Sequence, residues 1–193
     1  MNKLTETLIV IPARGGSKRL KGKNKVLLKG LPLFMHSAKA AKKINGKIRV
    51  IISTDDCDIL EYCSKETIET LERSKILALD YSAKQDVIID VCKELWEKEF
   101  YIPKIIVSLQ ANSPEVNDTL LIKCIESFEN LPTINGCKEL ICINKNGKQN
   151  GSIRIMTYKT VFQKTLSTYL GTYTKDLVDI HTLSDLNKVE MNS

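Results

Sequence analysis

The stretch LIVIPARGGSKRLKGKN, from Leu8 to Asn24, decides the fold that the sequence predicts. It begins with four apolar residues, three of them β-branched, and Pro12 follows, which is the pattern of a short buried strand. The loop after the strand contains three glycines, whose backbone N–H groups can approach a ligand closely. The same loop holds five cations: Arg14, Lys18, Arg19, Lys21 and Lys23. A first strand followed by a glycine-rich, cationic loop predicts an α/β protein that binds phosphate.

The loop matches neither of the two common nucleotide-binding fingerprints. A P-loop has four residues between its glycines, then Lys followed by Ser or Thr. Here five residues separate Gly16 from Gly22, and Asn24 follows Lys23. The stretch has no G-x-G-x-x-G pattern either. We therefore expect the loop to hold phosphate in another arrangement.

The positive charge of the chain is concentrated around this loop. The chain has 193 residues, enough for one domain with a sizeable core, and a formal net charge of +6. Seven of its 29 cations lie between Arg14 and Lys29 with no acid among them, and the other 22 are offset by 23 acids. A local excess predicts an anionic ligand at one place and argues against a long nucleic-acid track. A basic, solvated loop that touches nucleic acid is the alternative.

Composition excludes some other classes of protein. Six cysteines occur without a C-x-x-C pair, and the two histidines are distant from them in sequence, so we expect reduced thiols and no zinc or redox site. No apolar run approaches the roughly 20 residues that span a bilayer. The first residues, MNKLTET, lack the apolar core of a signal peptide, which predicts a cytoplasmic protein without a membrane partner.

The rest of the chain alternates predicted strands and helices, as in a mostly parallel sheet flanked by helices. Strands are predicted at 48–52, 76–79, 105–109, 140–143 and 152–156. Helices are predicted at 32–43, from 57 to 65, at 86–100, 118–128 and 157–166, and after Thr182. The residues of the segment Ser53–Asp56 suit a helix cap. The Gln110 turn follows a strand, and ligands of open α/β sheets bind beyond such carboxyl ends.

The loop resembles the signature I-P-A-R-x-x-S-K-R-hydrophobic-P-x-K-N of sugar-acid cytidylyltransferases, the CMP-sialic acid synthetase family. It matches at Pro12, Ala13, Arg14, Ser17, Lys18, Arg19, Lys23 and Asn24, with Lys21 in place of Pro. Further matches follow in the family's order, at Arg73, Asp80 and Asp86, at Gln110, Ser113 and Pro114, at Asn150-Gly151, and at Asp179. Further departures from the pattern follow: Ser74 replaces Pro, Asn112 replaces Thr, Glu115-Val116 replaces Leu-Arg, and His181 replaces a second Asp.

The resemblance implies a Rossmann-like domain of the nucleotide-diphospho-sugar transferase type over residues 1–193. It implies transfer of CMP from CTP to a hydroxyl of an acidic, sialic-acid-like sugar, with release of pyrophosphate. Such a reaction serves surface polysaccharide biosynthesis. The segment 115–149, which in the family carries much of the acceptor pocket and the dimer contact, is short here. The choice of acceptor and the oligomeric state therefore stay open, and a homodimer is one possibility.

The resemblance also assigns roles to residues. Arg14 and Lys23 would be catalytic. The nucleotide would contact Ala13, Arg14, Gly15, Gly16, Ser17, Lys18, Asn24, Arg73 and Asp80, with Arg73 at the cytosine. The acceptor would contact Gln110, Asn112, Ser113 and Asn150. Asp179 would hold Mg²⁺, and His181 is a poor second ligand because magnesium prefers oxygen.

Two alternatives to this function stay open beside the nucleic-acid module. One is a nucleotide-binding relative that has lost activity, which the replacements at Glu115 and His181 favour. The other is a cytidylyltransferase for a smaller anionic acceptor, which the short segment 115–149 favours.

Overall fold

The computed structural model describes residues 6–17, 19–79, 82–163 and 168–191. The strands are β1 (Thr7–Pro12), β2 (Leu27–Leu28), β3 (Leu31–Pro32), β4 (Ile48–Thr54), β5 (Glu69–Glu72), β6 (Ile105–Leu109), β7 (Lys138–Ile143), β8 (Gln149–Thr157) and β9 (Tyr169–Thr174). The helices are α1 (Leu33–Lys42), α2 (Cys57–Lys65), α3 (Lys84–Glu99), α4 (Asp118–Glu129), α5 (Tyr158–Val161) and α6 (Leu183–Met191). Two 3₁₀ turns lie at Lys23–Lys25 and Lys75–Ala78.

Seven of the strands form one sheet in the order β5-β4-β1-β6-β8-β7-β9. Strands β5, β4, β1 and β6 run parallel, β8 is antiparallel to both of its neighbours, and β9 is parallel to β7. This confirms the predicted α/β class with a mostly parallel sheet. The chain goes from β1 to one side and returns to the other side at β6, so a crevice opens between the carboxyl ends of β1 and β6.

Strand β1 is buried on both faces, which explains its uninterrupted apolar sequence. Ile9 and Ile11 belong to the core on the side of α1 and α4, and Leu8 and Val10 to the core on the side of α3. Because the side chains on both faces of β1 are packed in a core, the strand gives the loop that follows it a rigid base.

Some predicted elements were wrong. The strand predicted at 76–79 is the 3₁₀ turn Lys75–Ala78, and the neighbouring strand is β5, paired with β4. Strand β5 lies at the sheet edge with only Leu71 buried, so its sequence ETLE carries no apolar signal. Strand β9 was also missed. The segment between β9 and α6, which includes His181, forms no strand.

The helix predicted over 157–166 is described only as α5, which ends at Val161, and residues 164–167 lie outside the described ranges. In the described parts of the chain, no helix combines the length and the apolar composition that crossing a membrane requires.

Candidate active site

A cavity of about 240 Å³ opens at the carboxyl ends of β1 and β6. Among the described residues its wall contains five cations and no carboxylate. The cations are Arg14, Arg19, Lys23, Arg73 and Lys84. Its neutral lining residues are Pro12, Ser17, Asn24, Leu77, Leu79, Ser82, Val87, Gln110, Asn112 and His181. A concave wall of this charge is suited to an anion as dense as a nucleotide triphosphate. Of the predicted site residues, Lys18 and Asp80 lie outside the described residues.

The loop after β1 is held by hydrogen bonds to the end of β4 and by a hydrogen bond between its last and first residues. The Ala13 N–H donates to the Ser53 carbonyl at 2.9 Å, and the Thr54 hydroxyl donates to the Ala13 carbonyl at 2.6 Å. The Asn24 amide donates to the Arg14 carbonyl at 2.9 Å. Ala13 is fully buried, so the structure gives it a supporting position, whereas Asn24 both supports the loop and lines the cavity.

The Gly15 N–H is already hydrogen-bonded within the protein, although the sequence predicted that it is free to bind a phosphate. It donates to Asp55 Oδ1 at 3.0 Å, and a Cβ at Gly15 would lie 2.8 Å from Asp56 Oδ2. Glycine is therefore needed here for a close approach to the Asp55–Asp56 turn. Gly16, in contrast, is exposed, and a Cβ there would meet nothing within 4 Å.

The predicted helix cap at Ser53–Asp56 is confirmed. Asp56 accepts from the N–H groups of Asp58 and Ile59 at 3.0 and 3.3 Å. The Lys25 ammonium also lies 2.9 Å from Asp56 Oδ2 and 2.6 Å from Asp58 Oδ2. This pair of contacts fixes the 3₁₀ turn that carries Lys23 to the start of α2.

Lys23 lies in the centre of the cationic wall. Burial, followed by the guanidinium groups of Arg19 and Arg14, lowers the pKa of its ammonium below the usual range. Asp179 opposes this shift. The charge on Lys23 is therefore unfavourable in the empty cavity, and an anionic ligand would relieve it.

Arg73 is 5% exposed and is held by the end of β4. Its Nη2 donates to the Ser53 carbonyl at 2.7 Å, and its Nε donates to the Ser53 hydroxyl at 3.3 Å. Burial lowers the pKa of the guanidinium, yet arginine keeps its proton in proteins. Because the guanidinium is fixed and lines the cavity, its other N–H groups can read a ligand there.

The side chain of Asp179 connects its own segment to strand β8 and to the turn after β6. Its Oδ2 accepts from Gln110 Nε2 at 2.8 Å, and its Oδ1 accepts from the Ser152 hydroxyl at 2.9 Å and from the Ser113 hydroxyl. Asn112 adds a two-way bond with Ile180, through its Nδ2 at 2.8 Å and its carbonyl at 2.9 Å. The carboxyl end of β6 is thus joined to the segment 177–182, and Gln110 and Asn112 present the joined surface to the cavity.

Asp179 and His181 offer a magnesium ion few free oxygen ligands. Asp179 Oδ1 already accepts two hydrogen bonds and Oδ2 accepts one, which leaves a single acceptor position on Oδ2. Burial, then the charges of Lys23 and Arg19, lower the pKa of His181, which favours a neutral imidazole. These residues fit an ion that takes one oxygen from Asp179 and its other ligands from phosphate and water.

A second cavity of about 590 Å³ lies between α3 and the antiparallel half of the sheet. Lys84 lines both cavities. In the second cavity, Arg154 donates from Nε to Glu139 and from Nη1 to Gln85, each at 2.5 Å. A Cβ at Gly151 would lie 2.7 Å from Gln110 Nε2 and 2.9 Å from Lys84 Nζ, so the missing side chain lets both groups meet between the cavities.

Two predicted acceptor residues do not line either cavity. Asn150 is buried, and its Nδ2 donates to Asn144 Oδ1 at 2.9 Å and to the Lys175 carbonyl at 3.0 Å. Ser113 is fully buried, and its hydroxyl donates to Asp179 Oδ1. Sequence reasoning missed Lys84 and Arg154. A signal existed for Arg154, because an arginine interrupts the apolar run of β8.

Comparisons with known proteins show which family the chain is similar to. The family model described as cytidylyltransferase matches residues 8–186. The chain is 29% identical over 140 residues to a 3-deoxy-manno-octulosonate cytidylyltransferase of Wigglesworthia glossinidia brevipalpis, covering 72% of this chain and 54% of the relative. It is 32% identical over 124 residues to a pseudaminic acid cytidylyltransferase of Campylobacter jejuni, covering 64% and 53%.

A third relative is the CMP-N,N'-diacetyllegionaminic acid synthase of Legionella pneumophila, 36% identical over 109 residues that cover 55% of this chain and 46% of the relative. The chain thus spans about half the length of the curated relatives that it matches. Among solved structures, a CMP:2-keto-3-deoxy-manno-octonic acid synthetase complexed with CTP has the same fold, with a TM-score of 0.76 at 16% identity over 97% of this chain and 98% of the other. Because the family model extends from β1 into α6, the chain belongs to the cytidylyltransferase family.

Proposed function

We propose that the protein transfers CMP from CTP to a hydroxyl of an acidic sugar of the sialic acid or ulosonic acid type and releases pyrophosphate. The observation that supports this most is the cation-lined cavity, which meets a second cavity at Lys84. The relatives named for 3-deoxy-manno-octulosonate, pseudaminic acid and legionaminic acid point to the same class of acceptor. A cytoplasmic location, a homodimer and a role in surface polysaccharide synthesis stay predictions.

In this proposal the first cavity holds CTP. Arg14 and Lys23 bind the triphosphate, with Ser17 beside them, and Asn24 keeps the loop in place. Arg73 reads the cytosine through a planar guanidinium that Ser53 orients. The acceptor oxygen attacks the α-phosphorus while the bond to the β-phosphate breaks. Most of the rate enhancement would come from positioning and from fixed positive charge.

We propose Mg²⁺ as the cofactor, with Asp179 Oδ2 as its protein ligand. When bound, the ion would neutralise charge on the triphosphate and the leaving pyrophosphate. Gln110, Ser113 and Ser152 keep the carboxylate in one orientation through their hydrogen bonds.

The second cavity is proposed to hold the acceptor. Its volume falls within the range of small-molecule sites. Arg154 uses two of its N–H groups on Glu139 and Gln85, so the others can meet sugar hydroxyls or a carboxylate. Because Glu139 offsets the charge of Arg154, Lys84 supplies the excess positive charge of this wall. In this proposal the acid group of the acceptor meets Arg154, and the charge of Lys84 is left for the nucleotide.

The test is pyrophosphate release from CTP and Mg²⁺ with a panel of acidic sugars: 3-deoxy-manno-octulosonate, pseudaminic acid, N,N'-diacetyllegionaminic acid and N-acetylneuraminic acid. Release with one of them, together with the matching CMP-sugar by mass spectrometry, would support the proposal. ATP in place of CTP is the control. CTP binding without release from any acceptor would favour a nucleotide-binding relative without activity, which the replacement at His181 motivates.

A nucleic-acid-binding module remains the other candidate. It would bind mixed-sequence nucleic acid with a steep salt dependence and would not distinguish CTP from other nucleotides. The concave placement of the cations favours a small anion instead.

A further inference from the structure

Lys84 is the first residue of α3 and lies where the two cavities meet. Its Nζ approaches the backbone at Gly151, beside Gln110 Nε2, as the positions around a Cβ at Gly151 show. This point lies between the proposed nucleotide and the proposed acceptor, so a group there is close to the bond that forms. The inference rests on that proposed function.

The ammonium of Lys84 makes no hydrogen bond or ion pair with any of the described residues. Asp179 attracts it and Arg154 repels it through space, and neither is in bonding contact. Lys25, by comparison, contacts two carboxylates. Burial lowers the pKa of the Lys84 ammonium even though the residue as a whole is exposed, because the surrounding protein removes water from the charged end. A partly desolvated cation without a protein partner is suited to a ligand anion.

We propose that Lys84 is a further catalytic residue, whose ammonium contacts a non-bridging oxygen of the phosphoryl group that is transferred. During the step, the acceptor oxygen bonds to the α-phosphorus, and the α-phosphorus to bridging-oxygen bond breaks. The electron pair leaves with pyrophosphate, and the hydroxyl proton passes to water. Lys84 keeps its own protons and stabilises the charge that builds on the phosphoryl oxygens.

The position of Lys84 separates its role from that of Lys23. Lys23 belongs to the cluster with Arg14 and Arg19 on the loop after β1. Lys84 approaches from α3, on the wall that the two cavities share. Two cations from different elements would therefore contact the phosphates from different sides.

The first experiment compares kcat and KM of wild type, Lys84→Gln and Lys84→Arg, with Lys93→Ala as control, because Lys93 is an exposed lysine on the same helix. We expect Lys84→Gln to lower kcat about 100-fold, which is the effect of removing one stabilising donor from a transition state. KM for the acceptor should change less than about threefold, and KM for CTP should rise by no more than the fall in CMP affinity, because the same phosphoryl contact is lost. Lys84→Arg should recover at least about tenfold of the loss, because the guanidinium keeps the charge.

Three outcomes would overturn the proposal. An unchanged kcat in Lys84→Gln would remove Lys84 from the reaction. A rise in the acceptor KM alone would place the ammonium at the acceptor's acid group. Equal loss in the Gln and Arg variants would indicate that Lys84 removes a proton, because arginine cannot act as a base. Melting curves of each variant check that the protein is folded.

A second experiment does not depend on turnover. Calorimetry measures CMP and cytidine binding to wild type and Lys84→Gln, because the two ligands differ only in the phosphoryl group. We expect CMP affinity to fall by about tenfold or more and cytidine affinity to stay unchanged. Equal effects on the two ligands, or no effect on CMP, would overturn the contact. A protein that binds CMP through Lys84 but makes no CMP-sugar would keep the contact between Lys84 and the phosphoryl group while the proposed function fails.

Discussion

Gln110 donates a 2.8 Å hydrogen bond from Nε2 to Asp179 Oδ2, and this bond joins the end of β6 to a segment 69 residues later in the chain. Gln110 lines the cationic cavity, and Asp179 is a half-buried residue bonded to it. The carboxylate therefore organises the wall in the structure, beside the metal role that the resemblance implies for it. Both roles lead to tests.

Replacing Asp179 by Ala should destabilise the protein. The change leaves the donors of Gln110, Ser113 and Ser152 without their acceptor, and an unsatisfied buried donor costs about 1–3 kcal/mol. Urea unfolding of the variant should show a loss of this size. Asp176→Ala is the control, since Asp176 is an exposed acid three residues earlier and its side chain contacts only Lys145 among the described residues. An Asp179→Ala protein as stable as wild type would contradict the organising role.

Replacing Lys23 by Ala should lower turnover without a loss of stability. Turnover should fall at least about tenfold, or roughly 1.4 kcal/mol of barrier. In the absence of nucleotide the free energy of unfolding should stay the same or rise, because Arg14 and Arg19 repel the partly buried ammonium. Pyrophosphate release and urea unfolding measure the two effects.

Lys39→Ala is the control for that change, because Lys39 is an exposed cation on α1. Wild-type turnover in Lys23→Ala would remove Lys23 from the triphosphate site. A large loss of stability would instead mean that the lysine has a structural partner.

His181 should make stability depend on pH in a defined window. The pKa of its imidazole is below 6.5 in the folded protein, so the unfolded chain binds the proton more readily. The stability that the neutral imidazole contributes to the folded protein is present above pH 6.5, and it is lost as the pH falls from there through the folded pKa. His181→Asn should flatten the stability profile over this window and run parallel to wild type between pH 7 and 8. Identical profiles below pH 6.5 would contradict the shift.

Gly151→Ala should lower turnover with little change in the stability of the protein. The added Cβ would lie within 3 Å of Gln110 Nε2 and Lys84 Nζ, and both are ends of flexible side chains that can move away. We therefore expect a stability change within about 1 kcal/mol and a clear fall in turnover, because both groups leave the junction. Lys148→Ala, an exposed neighbour of β8, is the control. Unchanged turnover would show that the junction tolerates displaced side chains.

The sequence predicted the parts of the fold that local pattern determines. The β-branched run of β1 and the cap at Asp56 each follow from a few adjacent residues. Strand β5 could not be predicted this way, because its sequence ETLE has a single buried apolar residue and the strand exists only through its pairing with β4. The local excess of positive charge predicted that the first loop binds an anion, and the structure brings three of its cations, Arg14, Arg19 and Lys23, into one cavity.

The parts of the site that depend on distant pairing were not predictable. The Gly15 N–H is taken by Asp55 because the parallel register sets Pro12 opposite Ser53, which no local pattern reveals. Lys84 and Arg154 face the same cavity although 70 positions separate them. Their meeting depends on how α3 packs on the sheet, and the sequence shows each of them only as a single charged residue.

The most direct test of the account is the melting temperature of the protein with CTP, UTP, ATP or GTP, with and without Mg²⁺. A ligand at 100 times its dissociation constant adds about 2.7 kcal/mol, which for a chain of this size is a shift of roughly 5–10 °C. The account predicts a shift of this size with CTP, enlarged by Mg²⁺, and a smaller one with the other nucleotides. Equal shifts with all four, or none with CTP, would contradict it.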